Sequence, residues 1–363
     1  MFDVVMDSLP AAVASALAEA DSENADWPAL WRALTAVSVE LQSLLVTQPG
    51  PELVSLVEGI VTQLADGVAG TGRHRVELAE LTHRVLDTHA RACAATPPDP
   101  VRLADWLLDL QLHHPDAPEV GLARYARALD DEGLAHYRDR AVELFTPLPV
   151  IGFGETGRYD RARWALLRVM EELAEYTEDV DLQLLVLSKD LSSGWHYLQV
   201  ATVLRDAGRG DEALDWIDRG VHATGGRGAA PRLIDLAVEE HLRRGAPHRA
   251  VAVCREAFLI RPNLDLYLKA RALVVHTDEW PPLRAELVEH LVRDGSRLAI
   301  EVYRRIVEVE LARRGVQEQE LVVEWLQQLR GLQPDAFADY LEHIKSRHVA
   351  DRQLLDELSR RGL

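Results

Sequence analysis

The sequence has 363 residues, 47% apolar and 27% charged, which excludes a wholly disordered, collagen-like or disulfide-stapled chain. Lys plus Arg number 40 against 59 Asp plus Glu, and the formal charge of −19 argues against binding to nucleic-acid phosphates or anionic membrane surfaces. With only two cysteines, Cys93 and Cys254, no four-thiolate zinc site can be built; both read as small buried apolar residues in a reduced compartment.

The N-terminus lacks a basic region, and the apolar stretch Ala11 to Leu17 runs directly into Glu19 and Asp21, which argues against a signal peptide. No stretch reads as the ~20 consecutive apolar residues of a membrane span, so the expectation is a soluble cytoplasmic protein. Apolar residues recur at three- and four-residue intervals almost throughout, the period of amphipathic helices. Trp27, Leu30, Trp31, Leu34, Val37, Leu41 and Leu45 form one stripe, opened by Asp26 as N-cap with Pro28 in the first turn. After Pro49-Gly50-Pro51 a second stripe runs through Leu53, Leu56, Val57, Ile60, Val61 and Leu64. A further helix is expected over 74–94.

Three prolines at 97, 98 and 100 deny helix donors and place a domain boundary there, separating an N-terminal helical region over 1–97 from residues 98–363. Helices follow over 101–112, 119–129 and 131–146, then a Pro- and Gly-rich breaker over 147–157. Beyond it, Tyr197, Val200, Ala201, Leu204, Gly208, Ala213, Ile217 and Gly220 align without a gap, 37 residues apart, with Ile234, Ala237, Val238, His241, Gly245, Ala250, Cys254 and Ala257. Each segment is an apolar helix, a Gly turn, a small residue five positions later and a second helix, with Pro262 closing the latter. The pattern resembles the tetratricopeptide repeat. Gly208 and Gly245 fit the left-handed residue that ends a helix, and Ala213 and Ala250 let the paired helices approach. Helix pairs are expected to continue as 264–276 with 281–293, and 297–314 with 318–331 about the turn at Gly315. Phe337, Tyr340, Leu341 and Ile344, then Leu354, Leu355 and Leu358, mark a capping pair.

Further motifs carry a resemblance to a family. Asp190-Leu191-Ser192-Ser193, Trp195-His196-Tyr197-Leu198 and Gly208-Arg209-Gly210-Asp211-Glu212-Ala213-Leu214 are similar to the helical region of bacterial SWIM zinc-finger family proteins. So are Pro98-Asp99-Pro100-Val101, Leu122-Ala123-Arg124-Tyr125-Ala126, Tyr159-Asp160-Arg161-Ala162-Arg163-Trp164 and the segment from Arg347 to Leu363. The family's Cys-x-Cys and Cys-x-His zinc motif is absent, so its zinc and nucleic-acid functions do not carry over. The resemblance implies a helical scaffold and, as companions, a MoxR-type AAA+ ATPase or a von Willebrand A domain protein.

Candidate chemistry is sparse. Gly152-Phe153-Gly154-Glu155-Thr156-Gly157 fits G-x-G-x-x-G, but Pro147 and Pro149 precede it where a dinucleotide site needs a strand, so it reads as a loop. His89 and Cys93 share a helical face and His113-His114 are adjacent, yet neither pair completes a metal ligand set. His241 falls at a packing position. Glu178-Asp179-Val180-Asp181 reads as a turn and helix start. Arg304-Arg305, Arg313-Arg314 and Arg360-Arg361 are interleaved with Glu308, Glu310, Glu318, Glu320, Asp356 and Glu357, the pattern of a salt-bridged helix surface. No serine-hydrolase elbow or P-loop lysine is present.

The sequence therefore predicts an all-α fold, an α-α superhelix of tetratricopeptide-like repeats with an N-terminal helical bundle. Its expected function is that of a non-catalytic scaffold with no cofactor or metal, binding a protein or peptide in a groove. The groove is expected at Trp195, Leu198, Thr202 and Arg205 of one unit and Arg232, Asp235, Glu239 and Leu242 of the next. The alternative is an enzyme or metal protein with a site between the N-terminal helices and the repeats, near His113, His114 and Trp195.

Overall fold

The computed structural model describes residues 2–20, 22, 25–70, 73–156, 160–312 and 316–363, with side chains from Asp7 onward and not at 316–318. Among the described residues the fold is all-α, eighteen helices joined by short turns, with one isolated parallel bridge between Ile151 and Asp190. Gly157, Tyr159, Arg313-Arg314 and the Gly315 turn lie outside the described residues. The chain divides into two compact units, Met1–Asp190 and Leu191–Leu363.

The first unit holds α1 (Phe2–Ala20), α2 (Trp27–Thr47), α3 (Pro51–Gly70), α4 (Arg75–Ala95), α5 (Pro100–His113), α6 (Leu122–Phe145), α7 (Arg161–Thr177) and α8 (Val180–Leu187). Local chemistry sets the helix starts. The carboxylate of Asp26 accepts from Ala29 N at 3.2 Å and that of Asp99 from Arg102 N at 2.8 Å, each beside a proline that has no N–H to lose. The helices read as 119–129 and 131–146 form one element kinked at Asp130, whose φ is 47°; its carboxylate accepts from Glu132 N and restarts the helix. Glu178 ends α7 in the left-handed region and Asp179 caps α8, as expected of that acidic turn.

The boundary expected at 97/98 falls inside this unit, and the break between units lies at 190/191. A single core runs from Val13 to Val186. Proline punctuates the chain there without parting the core, because α4 packs on α6 and Arg102 forms a bidentate pair with Glu58, both bonds 3.0 Å. A second correction concerns membrane spans. By length and composition alone α2 and α3 could cross a bilayer, with mean hydropathies of 1.2 and 1.3 over the most apolar window, 39% and 56% of which is buried within the fold. Their buried stripes are the two read from the sequence, and they pack against α1 and α4.

The second unit consists of α9 (Gly194–Asp206) with α10 (Gly210–Thr224), α11 (Ala230–Arg243) with α12 (Pro247–Ile260), and α13 (Leu264–Val274) with α14 (Trp280–Asp294). It continues with α15 (Arg297–Leu311), α16 (Val316–Leu332), α17 (Pro334–Arg347) and α18 (Arg352–Arg360). The 37-residue register is repeated in the backbone. Gly208 and Gly245 have φ of 78° and 70°. Arg209 N bonds Leu204 O at 2.8 Å and Ala246 N bonds His241 O at 2.9 Å, the same helix-ending geometry in both pairs. Ala213 and Ala250 are buried at the pair crossings, and His241 is buried as its register position requires. Among the described residues, the main packing partners of each helix are its sequence neighbours and next-but-one neighbours. Consecutive first helices are also tied side by side. Arg205 lies 3.8 Å from Glu239, Lys269 Nζ 2.5 Å from Asp235, and Tyr267 Oη donates to Glu310 at 2.9 Å.

Candidate functional site

The eight groove residues fall on the first helices of the first two pairs. On α9, Trp195 is 57% exposed, while Leu198 is half-buried against the core. Thr202 Oγ1 donates to Leu198 O at 2.8 Å, which turns its hydroxyl back onto its own helix, and Arg205 is shared between Asp206 and Glu239. On α11, Arg232 and Glu239 are exposed, Asp235 is taken up by Lys269, and Leu242 is 44% exposed. The α9 and α11 faces are thus joined through Arg205 and Glu239, and the side chains with free apolar surface are Trp195 and Leu242.

Continuing the register beyond two pairs finds more of this face. Tyr267 occupies the buried position of Ile234 and Tyr197, 33 residues after Ile234. That alignment makes Leu268 the counterpart of Asp235 and Leu198, and Asp265 the counterpart of Arg232 and Trp195. Leu268 on α13 and Leu298 on α15 are 37% and 40% exposed. α11 packs on α9 and α13 on α15, whereas α11 and α13 are joined through the Asp235–Lys269 pair and leave space between them. A cleft of about 500 Å³ occupies that space, walled by Ile234, Ala257 and Leu268 and edged by Arg261, Lys269 and Arg305.

Beside this face, Glu240 is buried at the α10–α11 crossing with Arg243 at 2.7 Å and Arg244 at 2.6 Å. The hydrogen bonds from Arg243, partly opposed by burial and reinforced by Arg244, hold its carboxyl at about 2. Arg244 also reaches Asp211 at the start of α10, and Gly210 is the residue that leaves room for both side chains.

The other candidates resolve into structure. His89 is fully buried; Nδ1 lies 3.0 Å from Tyr125 Oη, Nε2 lies 3.4 Å from Cys93 Sγ, and the ring packs on Trp106. Burial pushes the Cys93 thiol up to about 12 and the His89 imidazole below its ordinary value, so the pair is neutral at neutral pH. Burial raises Glu58 too, but hydrogen bonds with His89 and Arg102 outweigh it and keep the carboxylate ionised. His113 Nδ1 donates to Asp109 O at 2.8 Å, and His114 lies 3.5 Å from Asp66. The described part of the G-x-G-x-x-G segment is a loop with Gly154 at φ 76°. Lys189 fastens its approach, donating from Nζ to Thr146 O at 2.7 Å and Leu148 O at 2.8 Å, while Ile151 N donates to Lys189 O. Among the described residues no three His, Cys, Asp or Glu side chains are grouped as a metal would need.

The expected salt-bridged arginine surface holds only in part. Arg360 and Arg361 share Glu357, but Arg304 stacks over Tyr340 and Arg305 has no carboxylate partner among the described residues. The reason is tertiary: α17 packs across the Arg304 side of α15 and leaves Arg305 on the cleft edge. Compared with known proteins, the chain matches no family model and no curated relative.

Proposed function

We propose that the protein is a non-catalytic helical-repeat scaffold, a solenoid of tetratricopeptide type that binds a protein or peptide along the first-helix face of its second unit. The observation that carries this reading is that Trp195, Leu242, Leu268 and Leu298 leave large apolar surfaces exposed on consecutive first helices, Trp195 on α9, Leu242 on α11, Leu268 on α13 and Leu298 on α15. A single exposed apolar side chain needs no explanation, whereas a recurrence on neighbouring helices is what an interaction face requires. The ion pairs between successive first helices support it further, because they hold the face rigid and reduce the ordering cost of binding. The partners to test first are a MoxR-type AAA+ ATPase and a von Willebrand A domain protein, the companions implied by the SWIM-type resemblance, in the cytoplasm.

The test is capture from the source cells with the tagged full chain, followed by affinity measurement with the purified partner. Trp195→Ala should weaken that affinity by about tenfold or more, ~1.4 kcal/mol, because aromatic anchors dominate such faces. Its exposed ring should leave the melting temperature nearly unchanged. Lost stability with unaltered affinity would make Trp195 a packing residue and refute the reading.

A further inference from the structure

The cleft between α11 and α13 brings three basic side chains, Arg261, Lys269 and Arg305, to one apolar wall. Lys269 on its edge is more than balanced by two carboxylates, Asp235 at 2.5 Å and Asp265 at 2.7 Å, so the cations left for a ligand are the two arginines. Arg261 at the end of α12 and Arg305 on α15 line the same cleft, and neither makes a side-chain hydrogen bond or ion pair with a described residue. Arg261 and Arg305 are both exposed, and the cleft brings these two unpaired guanidinium groups to one apolar-walled space. The N-terminus of α13 opens into the same space. Asn263 Oδ1 accepts from Leu266 N at 2.9 Å, and the preceding first-turn amides add the positive end of the helix dipole. The remaining wall, Pro231, Ile234, Ala257 and Leu268, is apolar.

We infer that this cleft seats an acidic peptide segment of a partner protein, its carboxylate held by Arg261 and Arg305 and its adjacent apolar side chain packed on Ile234, Ala257 and Leu268. The inference rests on the first-helix face being a binding surface and adds the chemistry of the occupant. Guanidinium forks suit carboxylates, which they grip through paired N–H bonds. A nucleic-acid backbone is the poorer fit, because two free cations beside an apolar wall, in a chain of net charge −19, do not track a row of phosphates.

The experiment uses the full chain and three fluorescein-labelled heptapeptides with blocked termini, in which Leu alternates with Glu, Gln or Lys, alongside oligothymidylate. Fluorescence anisotropy should give the Glu peptide an affinity about tenfold or more above the Gln peptide, with no binding of the Lys peptide. Arg261→Glu/Arg305→Glu should weaken the Glu peptide by a further tenfold or so and bring in binding of the Lys peptide, a swap that misfolding cannot produce. Arg261→Gln/Arg305→Gln, at two exposed positions, should weaken the Glu peptide without that swap, and Arg232→Glu on the same face should have a smaller effect. Equal binding of Glu and Gln peptides, no binding of any peptide, tighter binding of oligothymidylate, or an unchanged affinity in the double variant would each overturn the inference. A natural partner lost by Trp195→Ala but retained by Arg261→Glu/Arg305→Glu would overturn it while leaving the scaffold reading intact. A partner indifferent to both would remove the scaffold reading.

Discussion

Gly220 offers the sharpest test of how the repeat packs. It lies within α10 at the position that Ala257 holds in the next pair, and a Cβ built on it would stand 2.7 Å from Leu233 Cδ1, 2.8 Å from Tyr197 Cβ and 3.1 Å from Tyr197 Cγ. The residue is therefore pinched between α9 and the start of α11. Leu233 Cδ1 can swing aside, but Tyr197 Cβ is fixed to its own helix, so the α9–α10 crossing itself must open. Gly220→Ala gains up to ~1 kcal/mol of helix propensity and meets an overpacking cost of about 1–3 kcal/mol. Because Tyr197 Cβ moves only with its helix, the cost lies in the upper part of that range, ~2–3 kcal/mol, and the net expectation is a loss of about 1–2 kcal/mol, or roughly 2–8 °C in the melting temperature for a unit of this size. The same substitution at Gly59 in α3 supplies the control, because nothing lies within 4 Å of its Cβ position. Gly59→Ala should raise stability by up to ~1 kcal/mol. Differential scanning calorimetry of the wild-type chain and the two variants measures both effects. If Gly220→Ala melts at or above wild type, the close approach of the three helices is wrong.

Three further outcomes follow from the packing and the charges. Glu240 has its folded value near 2 against an ordinary 4.5, so its ion pairs contribute stability that is fully present above pH 4.5 and is lost as the pH falls toward 2. With solvent screening at the outward-facing Arg243 and Arg244, Glu240→Gln should cost about 1–2 kcal/mol at pH 7 and very little at pH 2, which urea titrations at the two pH values would measure. Ala250→Leu puts a large side chain at the fully buried α11–α12 crossing and should cost about 1–3 kcal/mol in the same assay. Cys93 and Cys254 are buried, with thiols raised by burial to about 12 and about 11, so an aromatic disulfide reagent should titrate both in denaturant and react far more slowly in the native protein.

Features that depend only on short stretches of chain were legible in the amino-acid sequence. Asp26 and Pro28 start a helix because the carboxylate reaches an amide three residues on, and Gly208 and Gly245 end helices because a residue without Cβ enters the left-handed region at little cost. The buried sides of the helices, the 37-residue register and the small residues at pair crossings come from the same local periodicity. Trp195 and Leu242 could be placed on the first-helix face for that reason, since a helix dictates which of its residues share a side.

Tertiary structure alone decided what becomes of those side chains. Thr202 spends its hydroxyl on its own helix, and Asp235 is claimed by Lys269, 34 residues further along the chain. Prolines 97, 98 and 100 punctuate the chain without dividing the core, because a domain boundary depends on which helices touch. Arg305 was indistinguishable in sequence from the arginines that find carboxylates, and it is left on the cleft edge while α17 packs against its neighbour Arg304. Helix boundaries are set by hydrogen bonds spanning three to five residues, whereas charge pairing and clefts are set by groups that meet only after the helices have stacked.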